Sequence, residues 1–257
     1  MIRLKKLLLN ISFYPLFFIS SAVLIPVFAV YVSVVRIVSS RREAVRSVRR
    51  AVGWYGNAVL SLASPLVKIE CHDIGGADSG GACLYVCNHR SLSDPFLMAC
   101  LHRLVPSLEV IQLAKRWPLR LPVLGQMARV AGYFSVNEME LDEFYRRAGA
   151  YLADGVSIIS FPEGTRSGGR ELGPFHSLVF RLALKEKAPI VPVCIAGNEN
   201  IPPRNSLLLQ PGKIILHKLS AIQPTDFEGM EAFKLKNMIW RLMADELERM
   251  DEGRSGE

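Results

Sequence analysis

From Leu7 to Val35 the chain holds no charged residue, and most positions are Leu, Ile, Val, Phe or Ala. A helix of this length would run about 43 Å, longer than the roughly 30 Å hydrocarbon core of a bilayer, and Pro15 and Pro26 interrupt it. Basic residues flank both ends, and Lys and Arg favour the cytoplasmic side. A re-entrant hairpin with both ends cytoplasmic therefore explains the flanks better than a single tilted span. The run is too long for the apolar region of a secretory signal, and no small-x-small cleavage site precedes the arginines. Beyond it, roughly 41 to 66, Val45, Val48, Val52, Leu60 and Leu62 are set among Arg42, Arg46, Arg49 and Arg50. That spacing predicts a basic, amphipathic helix near the bilayer surface, which also serves as a packing helix.

From Val67 onward, apolar β-type runs alternate with helical periodicity. Strands are predicted at 82–87, 108–113, 133–136, 156–161, 190–195 and near 213–219, and helices at 94–104, 119–131, 141–153 and 175–187. Such alternation predicts an α/β fold with a largely parallel sheet flanked by helices, preceded by the membrane-embedded helical segment. A long amphipathic helix is expected at 228–250, ending in an acidic, frayed segment at 251–257. The chain then divides into an anchor at 1–66, a central domain at 67–225 and a C-terminal helix with tail at 226–257.

Charge sharpens the division. Residues 1–50 hold nine Lys or Arg against Glu43 alone, a charge of +8, so the remainder of a chain whose net charge is +7 carries −1. This argues against a nucleic-acid enzyme with a basic catalytic face, and no nucleic-acid partner is expected; it argues for a basic flank beside an anionic membrane, at the cytoplasmic face of the inner membrane. Five cysteines are an odd number without disulfide spacing and are expected reduced. Cys83 and Cys87 on one strand would lie about 13 Å apart, too far to share a tetrahedral metal, so no metal site is expected.

Candidate chemistry begins at the predicted strand end Ala82–Cys87. His89 follows directly, and Asp94 stands five residues later, before Pro95 and an apolar helix. Parallel α/β sheets place their crevices at the carboxyl ends of strands. An Asp bonded to Nδ1–H holds a His in one tautomer and frees Nε2 to take a proton from an alcohol. Asp followed by Pro is equally a common helix start. The second motif, Phe161-Pro162-Glu163-Gly164-Thr165-Arg166-Ser167, also follows an apolar strand. Its Gly164 can lower backbone into a crevice, and Arg166 presents a guanidinium suited to phosphate.

Together the motifs resemble those of the glycerophospholipid acyltransferase family typified by bacterial 1-acylglycerol-3-phosphate acyltransferases, over roughly residues 69–197. The resemblance implies that His89 and Asp94 are the catalytic pair and that Phe161 to Ser167 line the acceptor site, with Glu163, Gly164, Thr165 and Arg166 among its residues. Lys115 ahead of Pro122 and Gly125, and Val191-Pro192-Val193, resemble two further family segments. Glu138 departs from the pattern, standing where the family usually has an Arg thought to hold acceptor phosphate.

The expected reaction follows from resemblance and chemistry together. His89 deprotonates the free hydroxyl of 1-acylglycerol-3-phosphate, which attacks the thioester of acyl-CoA or acyl carrier protein; Lys115, Arg116, Arg120 and Arg166 bind phosphate, and no cofactor beyond the donor is needed. The expected partners are membrane lipids, a lysophospholipid-like acceptor and one of those donors. Because of Glu138, a different acceptor such as a lyso-ornithine lipid is the alternative. A non-catalytic lipid-binding protein is the rival of another class. A lipase or thioesterase is disfavoured because no G-x-S-x-G elbow is present, and a metal phosphatase because His72, His89, His102, His176 and His217 lack ligand spacing.

Overall fold

The computed structural model describes residues 2–76, 80–120, 124–136 and 139–255. Its first element, α1 (Ile2–Val38), is one continuous helix of 37 residues rather than the expected internal hairpin. The segment lacks the residues a turn needs, having no Gly, and its two prolines sit eleven positions apart, so each removes a single isolated backbone bond. The hairpin forms one element later. Ser39 and Ser40 turn the chain, and Ser40 and Glu43 form a reciprocal cap on α2 (Arg41–Ala63). This helix runs back along α1: Trp54 meets Phe28 and Tyr31, and Tyr55 hydrogen-bonds Ser21 at 2.9 Å. One face of α2 buries Ala44, Val48, Ala51, Tyr55 and Val59, while Arg41, Arg42 and Arg50 stay exposed. Leu7, Ile11, Phe18, Ile19 and Val30 of α1 face outward, and the helix is long and apolar enough to cross a bilayer.

Six strands form one sheet in the order β1-β6-β5-β2-β4-β3, with β1 at Val67–Asp73, β2 at Leu84–Cys87, β3 at Val110–Gln112, β4 at Ser157–Ser160, β5 at Ile190–Ala196 and β6 at Gly212–Lys218. Every pairing is parallel except β5 with β6, in keeping with the expected largely parallel sheet. β1 had no counterpart among the expected strands, because its alternation of Lys68, Glu70 and His72 with apolar residues belongs to a half-exposed edge. The strand expected at 133–136 reduces to one bridge between Phe134 and Leu113. The helix expected at 94–104 is segmented into α3 (Asp94–Leu97), a tight turn at Met98–Cys100 and α4 (Leu101–Leu104).

Two apolar cores lie on opposite faces of the sheet. Tyr85 and Cys87 point toward α1, α2 and α3, among Tyr55, Val59 and Leu97. Leu84 and Val86 point the other way, toward α6 (Leu141–Ala153), α7 (Leu178–Glu186) and α8 (Ala232–Ser255), among Phe144, Phe180 and Ile239. A short α5 (Leu124–Ala131) packs on α2. None of the five cysteines is disulfide-bonded; four are buried and Cys71 is half-buried. The expected frayed tail is instead helical through Ser255. Asp251 bonds the guanidinium of Arg90 at 2.9 and 3.3 Å, and Arg254 reaches Glu199 at 3.6 Å. Asp251, which looks like part of a solvated tail in sequence, pairs with a buried cation far along the chain, and Arg254 with the buried Glu199.

Candidate active site

β2 is flanked by β5 and β4, and the chain leaves its carboxyl end through Asn88, which is fully buried. Asn88 prolongs the strand ladder with its side chain, donating from Nδ2 to the Ile195 carbonyl at 2.9 Å and accepting the Ile195 N–H on Oδ1 at 2.7 Å. His89 is thereby delivered at a fixed height above the sheet. Its Nδ1 lies 2.7 Å from Asp94 Oδ2, and Asp94 is wholly buried. An ionised carboxylate can only accept, so the proton between the two sits on Nδ1; in the neutral imidazole that leaves the lone pair on Nε2.

The bonds to Asp94 decide between a helix cap and a partner for His89. Oδ2 also accepts the backbone N–H groups of Arg90 at 2.8 Å and Ser91 at 2.9 Å, and Oδ1 accepts from Asn198. None of these donors belongs to α3. The carboxylate is turned back into the loop that carries His89, and α3 begins with no side-chain cap.

The second motif holds the same loop from outside. Glu163 is buried and accepts the His89 N–H on Oε1 at 2.6 Å and the Gly173 N–H on Oε2 at 2.9 Å, while Ser167 donates its N–H to the His89 carbonyl at 2.8 Å. Burial raises the pKa of Glu163 above the usual carboxylate value, and these two amides pull it partly back. Phe161 lays its ring 4.7 Å from the imidazole at 35°. Both backbone groups of His89 and one face of its ring are therefore set by residues 161–167. Gly164 has φ +67°, and a side chain there would stand 3.1 Å from the His176 ring.

His89, Lys115, Gly164, Thr165 and Arg166 all border one cavity of about 960 Å³. Lys115 and Thr165 are exposed at it; Arg166 is half-buried, and its Nη1 is buried with no hydrogen-bond partner among the described residues. Glu163 does not border it, because both its oxygens are spent on backbone. The cavity continues to Ile25 and Phe28 of α1, Val52 and Gly53 of α2, and Met98, so a polar mouth opens into an apolar interior. Such a space suits a lipid chain whose reactive end stops at His89. Glu138 and Pro122 lie outside the described residues.

Sequence reasoning missed the residues beneath the loop. Asn198 reaches Asp94 from just beyond β5. Arg90, 1% exposed, is held by Asp251, by the Arg170 carbonyl and by Glu199 at 3.8 Å. The available signal was slight: Asn198-Glu199 is a polar pair just past Gly197 and the long apolar run at 190–196, and nothing in the sequence names its partners.

Comparison with known proteins accords with this geometry. A family model described as "Acyltransferase" matches residues 68–196. A 1-acyl-sn-glycerol-3-phosphate acyltransferase of Cocos nucifera is 30% identical over 177 residues, covering 67% of this chain and 56% of that protein. The Escherichia coli (strain K12) protein of the same description is 28% identical over 195 residues, 72% of this chain and 75% of the relative. This chain thus spans just over half of the first relative and three quarters of the second. Among solved structures, the 1-acyl-sn-glycerophosphate acyltransferase PlsC of Thermotoga maritima superposes with a TM-score of 0.77 at 22% identity, over 98% of both chains, a likeness of fold.

Proposed function

Since the chain belongs to the acyltransferase family, we propose that it transfers a fatty acyl group from acyl-CoA or acyl carrier protein to the free hydroxyl of 1-acylglycerol-3-phosphate, giving phosphatidic acid. The observation that carries this reading is the His89–Asp94 pair, 2.7 Å apart, at the mouth of a cavity that is cationic at Lys115 and Arg166 and apolar within.

In the proposed step, His89 Nε2 accepts the hydroxyl proton as that oxygen attacks the thioester carbonyl. Asp94 stabilises the imidazolium that forms. Collapse of the tetrahedral adduct breaks the C–S bond, and the imidazolium returns its proton to the departing sulfur. The thiol is a good leaving group, so no covalent acyl-enzyme is required. Arg166, with an unpartnered buried nitrogen, and Lys115 are placed to hold the acceptor phosphate. Glu163 serves this site by fixing His89, a different role from the acceptor contact implied by resemblance. The chain works at a membrane: α1 presents an apolar surface, and the +8 N-terminal region is suited to the anionic cytoplasmic face.

Glu138 favours a second reading, in which the acceptor is another lysolipid such as a lyso-ornithine lipid, since a carboxylate in place of the family's Arg would disfavour phosphate and favour an ammonium. Incubating the enzyme with one acyl donor and a panel of lysolipids, with products read by mass spectrometry, separates the two. Phosphatidic acid as the main product supports the first reading. An acylated amino lipid supports the second, and absence of any acylated product contradicts both.

A further inference from the structure

We infer that Asn198 is a positioning residue for acyl transfer, holding the far oxygen of Asp94 so that the near one stays aimed at His89; this rests on the proposed role of His89 as base. Asp94 has no water contact, so each of its oxygens must be satisfied from within the protein. Three donors converge on Oδ2, namely His89 Nδ1 and the N–H groups of Arg90 and Ser91. Among the described residues Oδ1 has one, the Asn198 amide. Without it the carboxylate would keep a buried, unsatisfied oxygen, and only the bonds on Oδ2 would resist a turn about Cβ–Cγ that seeks a donor for Oδ1 and shifts Oδ2 out of line with the imidazole.

The fold is built to place this amide. Gly197 turns the chain out of β5 at φ +86°, and a Cβ there would sit 2.1 Å from the Lys213 carbonyl, so only glycine makes the turn. The Asn198 carbonyl then accepts the Ile201 N–H at 2.9 Å, and Ser91 Oγ donates to the Ile201 carbonyl at 2.8 Å, tying the turn to the His89 loop from a second side. Asn198 is itself fully buried. The amide must present its nitrogen, because the reverse orientation would set two acceptors against each other. Its neutrality also has a purpose. Lys or Arg at this place would satisfy Oδ1 equally but would neutralise the carboxylate, whereas an amide leaves the negative charge to the imidazolium formed during turnover.

The test compares Asn198→Leu, similar in volume but without a donor, with Asn198→Ser, which keeps a shorter donor, and Asn198→Asp, which replaces donor by acceptor. Release of free thiol from acyl-CoA with lysophosphatidate is followed at saturation, and melting temperature is recorded for each variant. Expected is a kcat lower by about 10–100-fold for Leu, a comparable or larger loss for Asp and a smaller one for Ser, with both KM values within about twofold of the parent. In an Asp94→Ala background, where residual product is collected over hours, Asn198→Leu should cost nothing further. Unchanged kcat in Asn198→Leu, or the same fold-loss with and without Asp94, overturns the inference. Should the Leu variant not fold, equal activity in Ser and Asp variants overturns it instead. A parent enzyme that releases no thiol with any lysolipid refutes the proposed reaction, and the inference with it.

Discussion

Asp251→Ala removes the carboxylate that reaches the Arg90 guanidinium at 2.9 and 3.3 Å. Arg90 is 1% exposed, and the Asp251 side chain only 12%. Breaking one side of a buried ion pair costs about 3–5 kcal/mol, because the remaining charge keeps its desolvation cost without its partner. Here the loss is incomplete: Glu199 stands 3.8 Å from Arg90, and the Arg170 carbonyl still accepts from it, so about 2–3 kcal/mol is the expected cost. At about 2–4 °C per kcal/mol for a chain of this size, the melting temperature should fall by about 4–12 °C. The assay is thermal unfolding in detergent, with Glu252→Ala, an exposed neighbour, as control and expected to shift by no more than about 2 °C. Because Arg90 directly follows His89, acyl transfer measured well below the transition should also fall several-fold. A shift for Asp251→Ala no larger than that of the control would refute the clamp and restore the picture of a free tail.

Other outcomes follow from the site. Arg166→Ala should raise the acceptor KM by about 10–100-fold with little change in kcat, because a charge-assisted contact to phosphate is lost from ground and transition states alike; steady-state kinetics with varied lysophosphatidate measure this. Gly53→Leu fills the apolar end of the cavity, where a Cβ would already stand 3.0 Å from His102, and kcat/KM should fall about fourfold for each CH₂ of the donor chain that no longer fits, seen across a donor series. Glu163, whose pKa burial raises, binds its proton more tightly folded than unfolded, so its contribution disfavours folding above its folded pKa and is relieved as pH falls toward the ordinary value. The melting-temperature difference between parent and Glu163→Gln should therefore change in the parent's favour on acidification through that window. Glu138→Arg should strengthen lysophosphatidate turnover if the native acceptor is an amino lipid, read by the product panel.

What was legible in the sequence was what repeats or clusters locally. The apolar runs at 84–87 and 190–196 and the mostly apolar stretch at 156–161 became strands because strands covered on both faces read as near-continuous apolar sequence. His89 and Asp94 are five residues apart, and a single tight loop joins them. The basic flanks suggest a hairpin within 7–35, but that run has no glycine at which to turn; the chain folds back only at Ser39 and Ser40, so Lys5 and Lys6 stand at one end of α1 and Arg36 at the other. β1 was overlooked because an edge strand with one wet face carries half the apolar signal. Asn198, Glu199 and Asp251 were illegible for a different reason: their importance comes from partners 104, 109 and 161 residues away, and only the order β6-β5-β2 brings the first two beside the His89 loop. The resemblance of residues 161–167 implied Glu163 as an acceptor-site residue, yet its oxygens accept from the backbone amides of His89 and Gly173.

The most direct measurement of the central claim sets the parent and His89→Ala side by side in the same membranes, with acyl-CoA, lysophosphatidate and mass-spectrometric detection of phosphatidic acid. The account predicts steady formation by the parent and a loss of about 100-fold or more in the variant, with membrane association and melting temperature retained. Acyl transfer that persists at the parent's rate in His89→Ala would contradict it.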